Sequence, residues 1–163
     1  MATDTTDQPA TKDAVTIRDA EAGDVAAIAD ILHAATSAAY KFMAWPHTDK
    51  DSHEFVAASM GRWDKVRVAV DGTGKLVAFL CLDGKLIDQL FVAPGHQRRG
   101  IGTRMLRDVK AMLPGGLSLF TFQANKPARA FYEKHGFRAV AFGVSEAEGE
   151  PDVTYVWAGD GSS

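Results

Sequence analysis

Two different hydrophobic periods meet within residues 86–113 of this chain. Residues 86–92 carry apolar side chains at most positions of both alternating faces, as in a strand that is covered on both sides of a sheet. One face would carry Leu86, Leu90 and Val92, and the other Ile87 and Phe91. From Gly100 onward the apolar residues recur every three to four positions, which predicts an amphipathic helix. The pattern therefore predicts a strand, a short loop and a helix in succession.

The other periodic stretches predict one α/β domain with an α+β mixed sheet. Its order is strand, two helices, three strands, helix, strand, helix and two strands. The expected bounds are 15–18, 25–40, 51–63, 66–70, 76–82, 86–92, 100–113, 117–122, 125–135, 137–142 and 153–157. A right-handed crossover would make 86–92 and 117–122 parallel neighbours. The domain would cover residues 14–158, between a disordered tail at 1–13 and a short tail at 159–163.

Two short signals predict where elements begin and turn. Asp51 and Glu54 have the spacing of a capping box, which places the start of the second helix at Asp51. Asp83-Gly84 is a two-residue hairpin signal between the strands at 76–82 and 86–92.

The loop between the strand at 86–92 and the helix that follows it is basic and contains two glycines. It reads Gln97-Arg98-Arg99-Gly100-Ile101-Gly102 and follows Pro94, which ends the strand. The helix would direct its unpaired N–H groups at this loop, where glycines allow close approach and arginines supply positive charge. This combination predicts a phosphate-binding turn. The alternative is a surface loop with an ordinary helix cap and two solvated arginines.

Composition and charge exclude several other kinds of function. A net charge of −3 argues against general affinity for nucleic acid or an acidic membrane. The single cysteine, Cys81, lies in an apolar strand and is expected to be a buried thiol rather than a nucleophile. Cysteine and histidine spacings suggest no metal site, and the N-terminal stretch has no apolar signal segment. We therefore expect a cytoplasmic protein without a metal or a membrane partner.

Two motifs resemble the signatures of one enzyme family. The loop Q-R-R-G-I-G, after a strand ending V-x-P, resembles the acyl-coenzyme A signature (Q/R-x-x-G-x-G/A) of the GNAT superfamily of N-acetyltransferases. Residues 125–137, N-x-x-A-x-x-F-Y-x-x-x-G-F, resemble the second signature of the same family. The element order extends this resemblance to about residues 15–157. It implies the GNAT acyl-CoA N-acyltransferase fold, of order β-α-α-β-β-β-α-β-α-β-β.

The resemblance implies acetyl-coenzyme A as co-substrate and assigns residues to it. Backbone amides of residues 97–103 would wrap the diphosphate. The strand at 90–92 would offer its backbone to the pantetheine arm where the parallel strands splay after Val92. Asn125 would bond the arm, with Ala128 and Phe131 as its floor. The implied coenzyme-binding residues are Leu90, Phe91, Val92, Gln97, Arg98, Arg99, Gly100, Ile101, Gly102, Thr103, Asn125, Ala128, Phe131 and Tyr132.

Two residues are candidates for proton transfer. Tyr132 matches the family tyrosine near the coenzyme sulfur and would donate a proton to the departing thiolate. Asp88 lies on the apolar face shared with Leu86 and Leu90, where desolvation would suit a carboxylate to act as a base. Alternatively, Asp88 reaches solvent or a backbone amide near the hairpin. Water, His47, His53 and Glu54 are the other candidates for the base.

The acceptor is less well specified than the donor. Residues 38–53 and 145–152 would build its site, and their acidic side chains suit a cationic amine of a small molecule or a peptide. The competing interpretation is a catalytically silent coenzyme A sensor, which would need neither Tyr132 nor a base. A nucleic-acid binder using the arginines of 98–107 is disfavoured by the net charge. A free sheet edge or the apolar last strand could support a homodimer.

Overall fold

A seven-stranded mixed sheet forms the centre of the molecule. The computed structural model describes residues 14–41, 47–97 and 99–159, so the expected tail at 1–13, residues 42–46, Arg98 and residues 160–163 of the expected C-terminal tail lie outside the described part. Strand order is β1-β2-β3-β4-β5-β7-β6. Strands β4 and β5 are parallel neighbours, as predicted, and the other paired strands of the described chain are antiparallel. The strands are β1 (Thr16–Asp19), β2 (Lys65–Val70), β3 (Leu76–Asp83), β4 (Leu86–Val92), β5 (Leu117–Phe122), β6 (Arg138–Val144) and β7 (Pro151–Trp157).

Four α-helices cover the sheet in the order that the sequence predicts. They are α1 (Val25–Ala39), α2 (Asp49–Ser59), α3 (Ile101–Met112) and α4 (Lys126–Lys134). Short 3-10 turns at Ala22–Asp24 and Pro94–His96 complete the regular structure. Within the described ranges, no helix has both the length and the apolar character needed to cross a membrane.

The helices divide the core into two clusters on opposite faces of the sheet. Helix α3 buries Ile101, Met105 and Val109, whose spacing predicted it, and also Leu106. Met112, the fourth residue of the predicted apolar stripe, is exposed. This α3 cluster also contains Ile87, and Leu90 and Val92 pack against it. Helices α1 and α2 supply a second cluster with Ile28, Val56, Trp63 and Phe79, against which Phe91 packs. Strand β4 is therefore covered on both faces, as its composition predicts.

The prediction of which residues share a face of β4 is wrong at Ile87 and Asp88. Cys81 of β3 pairs with Gln89, whereas the next residue, Leu82, pairs with Ile87, so Asp88 is an extra residue in β4. Such a β-bulge interrupts the alternation of side chains along a strand. Ile87 therefore lies in the same cluster as Leu90, and Asp88 turns to the other side, toward Trp63.

The start of α2 also differs from the prediction. Thr48, not Asp51, is the N-cap: its side chain accepts a hydrogen bond from the Asp51 backbone N–H at 3.1 Å. The Asp51 carboxylate in turn accepts from the Thr48 backbone N–H at 2.8 Å. The helix begins at Asp49 because this reciprocal pair satisfies two of its free donors.

The last strand cannot provide a free edge for a dimer, because β7 lies between β5 and β6. The edges of the sheet are β1 and β6, and β6 is exposed along its length. The hairpin after β3 turns on Gly84 and Lys85, one residue later than predicted, since Asp83 pairs with Leu86.

Candidate active site

The parallel strands β4 and β5 part almost as soon as they have paired. Their register contains only Leu86 with Ser118 and Ile87 with Leu119. The separation therefore begins after Ile87 and not, as expected, after Val92. The bulge at Asp88 lies at the point of separation, and bulges bend the strand that carries them. A gap consequently opens beside the second half of β4.

The backbone of Leu90 and Val92 faces this gap. The Ala93 N–H donates to the Val77 carbonyl of the β3 chain at 2.8 Å, which identifies that pair as a hydrogen-bonded one. Since such pairs alternate along an antiparallel ladder, the amides of Gln89 and Phe91 also face β3. Leu90 and Val92 are left facing β5, out of reach of its ladder. The peptide groups of Phe91 therefore face β3 and not a ligand in the gap, which corrects the prediction for this residue. Phe91 nevertheless lines the adjoining cavity.

A cavity of about 460 Å³ lies beside the gap. It brings together Asp88, Leu90, Phe91, Asn125, Ala128 and Tyr132 from the predicted site. Both predicted acceptor segments also line it, through Tyr40, His47, Asp51, Ser52, Ser145, Ala147, Glu148 and Asp152. Sequence reasoning did not single out Phe120 of β5, which lines the cavity and is 60% exposed. Its position within a regular apolar strand carries no distinguishing signal.

Tyr132 is a buried phenol at the wall of this cavity. Its side chain contacts the rings of Phe131 and Phe137, with centroids 5.2 and 5.6 Å away. Burial raises the pKa of Tyr132 well above its usual value, and the nearby Tyr40 raises it further. The hydroxyl therefore carries its proton throughout the physiological pH range.

The Asp88 carboxylate binds a side-chain donor, a partner that was not among the alternatives considered from the sequence. Its Oδ2 atom accepts a hydrogen bond from the Trp63 indole Nε1 at 2.7 Å. The residue is partly buried and lines the cavity. A carboxylate is thus available close to the mouth of the β4–β5 gap.

The other candidates for the base occupy different places. His47 lines the cavity, and its Nε2 lies 3.2 Å from Oε2 of Glu148 in the loop between β6 and β7. His53 and Glu54 are not among the cavity residues of the described chain. His53 lies between Asp30 and Asp49, at 3.2 and 3.5 Å. Among the described residues, Asp30, Asp49 and His53 form a group that could hold a metal ion, and none of them lines the cavity.

Asn125 has a structural role that leaves part of its amide available. Its Oδ1 accepts a hydrogen bond from the Ala128 backbone N–H at 3.3 Å and caps α4. The Nδ2 group is a donor in the same side chain, and Asn125 lines the cavity. The cap explains why an asparagine at this position fits both the helix and a ligand amide.

The glycine loop ends in a left-handed residue at the N-terminus of α3. Gly100 is the N-cap, with φ of 78°, a conformation that side chains rarely adopt. Gly102 lies at the contact between α3 and α4, because a Cβ there would lie 3.4 Å from the Phe131 ring, an ordinary contact distance. Thr103 Oγ1 lies 3.2 Å from His135 Nε2 in the same interface, and Gln97 donates to the Val92 carbonyl at 3.2 Å.

Cys81 does not belong to this site. It is fully buried in β3, and burial raises the pKa of its thiol, with a further contribution from the Asp88 carboxylate. A thiol held protonated is a poor nucleophile. The cavity instead presents carboxylates and hydroxyl groups, an arrangement suited to a cationic ligand and to proton transfer.

Comparison with known proteins identifies relatives for the central part of the chain. The profile of the acetyltransferase (GNAT) domain matches residues 62–139. The peptidyl-lysine N-acetyltransferase YiaC of Escherichia coli is 40% identical over 68 residues, which are 41% of this chain and 46% of YiaC. The chain spans about half the length of the curated relatives it matches.

Solved structures resemble the whole described fold. The apo form of YjaB from Escherichia coli, solved in solution, has a TM-score of 0.76 at 22% identity, covering 90% of this chain and 99% of YjaB. The spermidine N-acetyltransferase of Vibrio cholerae, in complex with CoA and spermine, has a TM-score of 0.66 at 17% identity, covering 87% of this chain and 94% of that protein. These likenesses confirm the predicted fold.

Proposed function

We propose that the chain is an acetyltransferase of the GNAT family and that it transfers an acetyl group from acetyl-coenzyme A to a primary amine. The observation that carries the proposal is one cavity that joins the open backbone of β4 to Tyr132 and Asp88. Acetyl transfer requires a place for the thioester, a proton donor and a route for the amine proton, and these residues supply all three. The domain responsible is residues 14–158.

The coenzyme would lie along β4 with its diphosphate at the N-terminus of α3. The free amides of that helix start, together with the loop residues Gln97, Arg99 and Gly100, suit a diphosphate. The peptide groups of Leu90 and Val92 would hydrogen-bond the pantetheine amides as a neighbouring strand does. Asn125 would donate its Nδ2 group to the same arm. An N–H group of β4 beside the thioester would polarise its carbonyl.

The reaction would be a direct attack of the neutral amine on the thioester carbonyl carbon. A carbon–nitrogen bond forms, and the tetrahedral intermediate then expels the sulfur as the carbon–sulfur bond breaks. The Tyr132 hydroxyl gives its proton to the departing thiolate. The proton lost by the amine passes to Asp88, directly or through water. Since Cys81 is buried and protonated, no covalent enzyme intermediate is proposed.

The acceptor would be a cationic primary amine, on a peptide lysine or a small molecule. Asp51, Glu148 and Asp152 line the cavity and would attract a positively charged group. The names of the relatives support this class, because YiaC is named a peptidyl-lysine acetyltransferase and the Vibrio cholerae enzyme was solved with spermine.

A thiol-release assay with acetyl-coenzyme A and a panel of amines tests this function. Lysine-containing peptides and polyamines should release coenzyme A faster than buffer alone, with one acetylated amine formed for each thiol. A mass-spectrometric product confirms the stoichiometry. Binding of acetyl-coenzyme A without amine-dependent release, across the whole panel, would instead support the silent sensor.

Replacing Tyr132 by Phe should lower turnover by roughly 100-fold, because the thiolate would leave without its proton donor. Affinity for acetyl-coenzyme A in calorimetry should stay within about two-fold, since no binding contact is removed. Tyr155→Phe is the matched control: Tyr155 is buried, and its hydroxyl donates to Glu133 at 2.6 Å, within the α4–β7 packing. Equal losses of turnover and affinity in the Tyr132 variant would contradict the acid role.

Replacing Gly100 by Glu should abolish acetyl-coenzyme A binding in calorimetry. The substitution strains a residue with φ of 78° and places a negative charge at the helix N-terminus. Gly95→Glu adds the same charge in the same loop, where the backbone is not left-handed and a Cβ meets open space. It should weaken binding much less. Wild-type affinity in the Gly100 variant would exclude this loop as the diphosphate site.

A further inference from the structure

We propose that Trp63 is the positioning residue for Asp88, holding one oxygen of its carboxylate so that the other can take the proton of the amine. This inference rests on the proposed function, in which Asp88 is the proton acceptor. It adds a residue outside the coenzyme and acceptor contacts to the catalytic arrangement.

The contact between the two residues is short and partly shielded from water. The Trp63 Nε1 donates to Asp88 Oδ2 at 2.7 Å, and the Trp63 side chain is 5% exposed. Asp88 lines the cavity, whereas Trp63 is absent from the cavity wall of the described chain. Trp63 therefore lies behind the carboxylate, where it can orient Asp88 without touching a substrate.

Trp63 is itself held from several directions. Its backbone N–H donates to the Ser59 carbonyl at 3.0 Å, at the end of α2. Its ring meets Phe55 edge-on, with centroids 5.7 Å apart, and the Arg62 guanidinium lies 5.8 Å from its centre. The next residue, Asp64, donates from its N–H to the Leu82 carbonyl at 2.9 Å. The indole is thus fixed to both α2 and β3, which gives the N–H a defined direction.

The bulge in β4 makes this support necessary. Asp88 is the extra residue of the bulge, so its direction is not imposed by the regular alternation of the strand. An indole has one donor and no acceptor, so it can bind one carboxylate oxygen and cannot take the proton itself. Within the described residues, Oδ1 has no hydrogen-bond partner. The geometry leaves this oxygen for the amine or an intervening water.

The hydrogen bond from the indole to Asp88 can be removed by itself. The other titratable or charged groups around Asp88 are Cys81 on β3 and Arg62 beside Trp63, with Asp51 on α2, Tyr132 on α4, and His47 and Glu148 across the cavity. All of these groups remain unchanged when only the indole is replaced.

The test compares kcat and KM in wild type, Trp63→Phe and Asp88→Asn with an amine found by thiol release. Trp63→Phe should lower kcat on the order of ten-fold, less than the roughly 100-fold expected for Asp88→Asn. KM for the amine should change much less than kcat, because within the described residues the indole does not line the acceptor cavity. Affinity for acetyl-coenzyme A should stay near wild type.

Two further variants separate positioning from packing. Trp157→Phe makes the same change in the α3 cluster, outside the lining of the cavity, and should lower the melting temperature without lowering kcat. Trp63→3-benzothienylalanine keeps the bicyclic shape but has sulfur in place of the N–H. This variant should fold as wild type does and reproduce the lowered kcat of Trp63→Phe.

A nuclear magnetic resonance readout reports the hydrogen bond without turnover. The Trp63 indole proton, assigned from its absence in Trp63→Phe, should move upfield in Asp88→Asn because its acceptor has lost its charge. An unmoved resonance would overturn the proposal. So would a wild-type kcat in both Trp63 variants when Asp88→Asn is impaired, because the base would then act without the indole. Wild-type kinetics in Asp88→Asn would show that Asp88 is not the base. Absence of turnover with every amine would contradict the proposed function.

Discussion

One extra residue in strand β4 is the constraint on which the site depends. Asp88 interrupts the β3–β4 register, and the parallel pairing of β4 with β5 ends at the adjacent Ile87. Buried or half-buried peptide groups need partners, and a sheet normally supplies them from the next strand. Here the peptide groups of Leu90 and the N–H of Val92 face a gap instead, and the Val92 carbonyl accepts from the Gln97 side chain at 3.2 Å. An extended ligand that carries its own amides can complete the sheet at this point, which is the physical reason for assigning a pantetheine arm to it.

In the proposed function, the same bulge divides the molecule into a half for the acetyl donor and a half for the amine acceptor. On one face, α3 and α4 pack against each other, with Gly102 beside the Phe131 ring, and they present the helix N-terminus and Tyr132. On the other face, α2 and the loop between β6 and β7 close around the cavity, joined by His47 and Glu148. Asp88 points to this second side through its bond with Trp63. The proposed proton donor on α4 therefore lies on one face of the sheet, and the proposed acceptor of the amine proton, on β4, points to the other.

Local patterns predicted the elements of the donor half and the segments of the acceptor half, but not the contacts within the acceptor half. The helical period after Gly100 and the spacing from Asn125 to Tyr132 are short-range signals, so they predicted α3, its loop and α4. The bulge left no such signal, because a strand that is apolar on both faces does not specify its register through alternation. The contact between Trp63 and Asp88 joins residues 25 apart, and that between His47 and Glu148 joins residues 101 apart, so tertiary packing alone creates them. The matching family profile, residues 62–139, likewise leaves out α1, α2 and the loop between β6 and β7, where the acceptor would be chosen.

Amide hydrogen exchange along β4, with and without coenzyme A, tests the central claim most directly. The amides of Gln89 and Phe91 face β3 and serve as internal controls that should be protected in both states. Those of Leu90 and Val92 should exchange rapidly in the free protein and slow markedly when coenzyme A is bound, because its arm supplies the missing partners. Protection of Leu90 and Val92 in the free protein, or unchanged exchange on binding, would contradict the account.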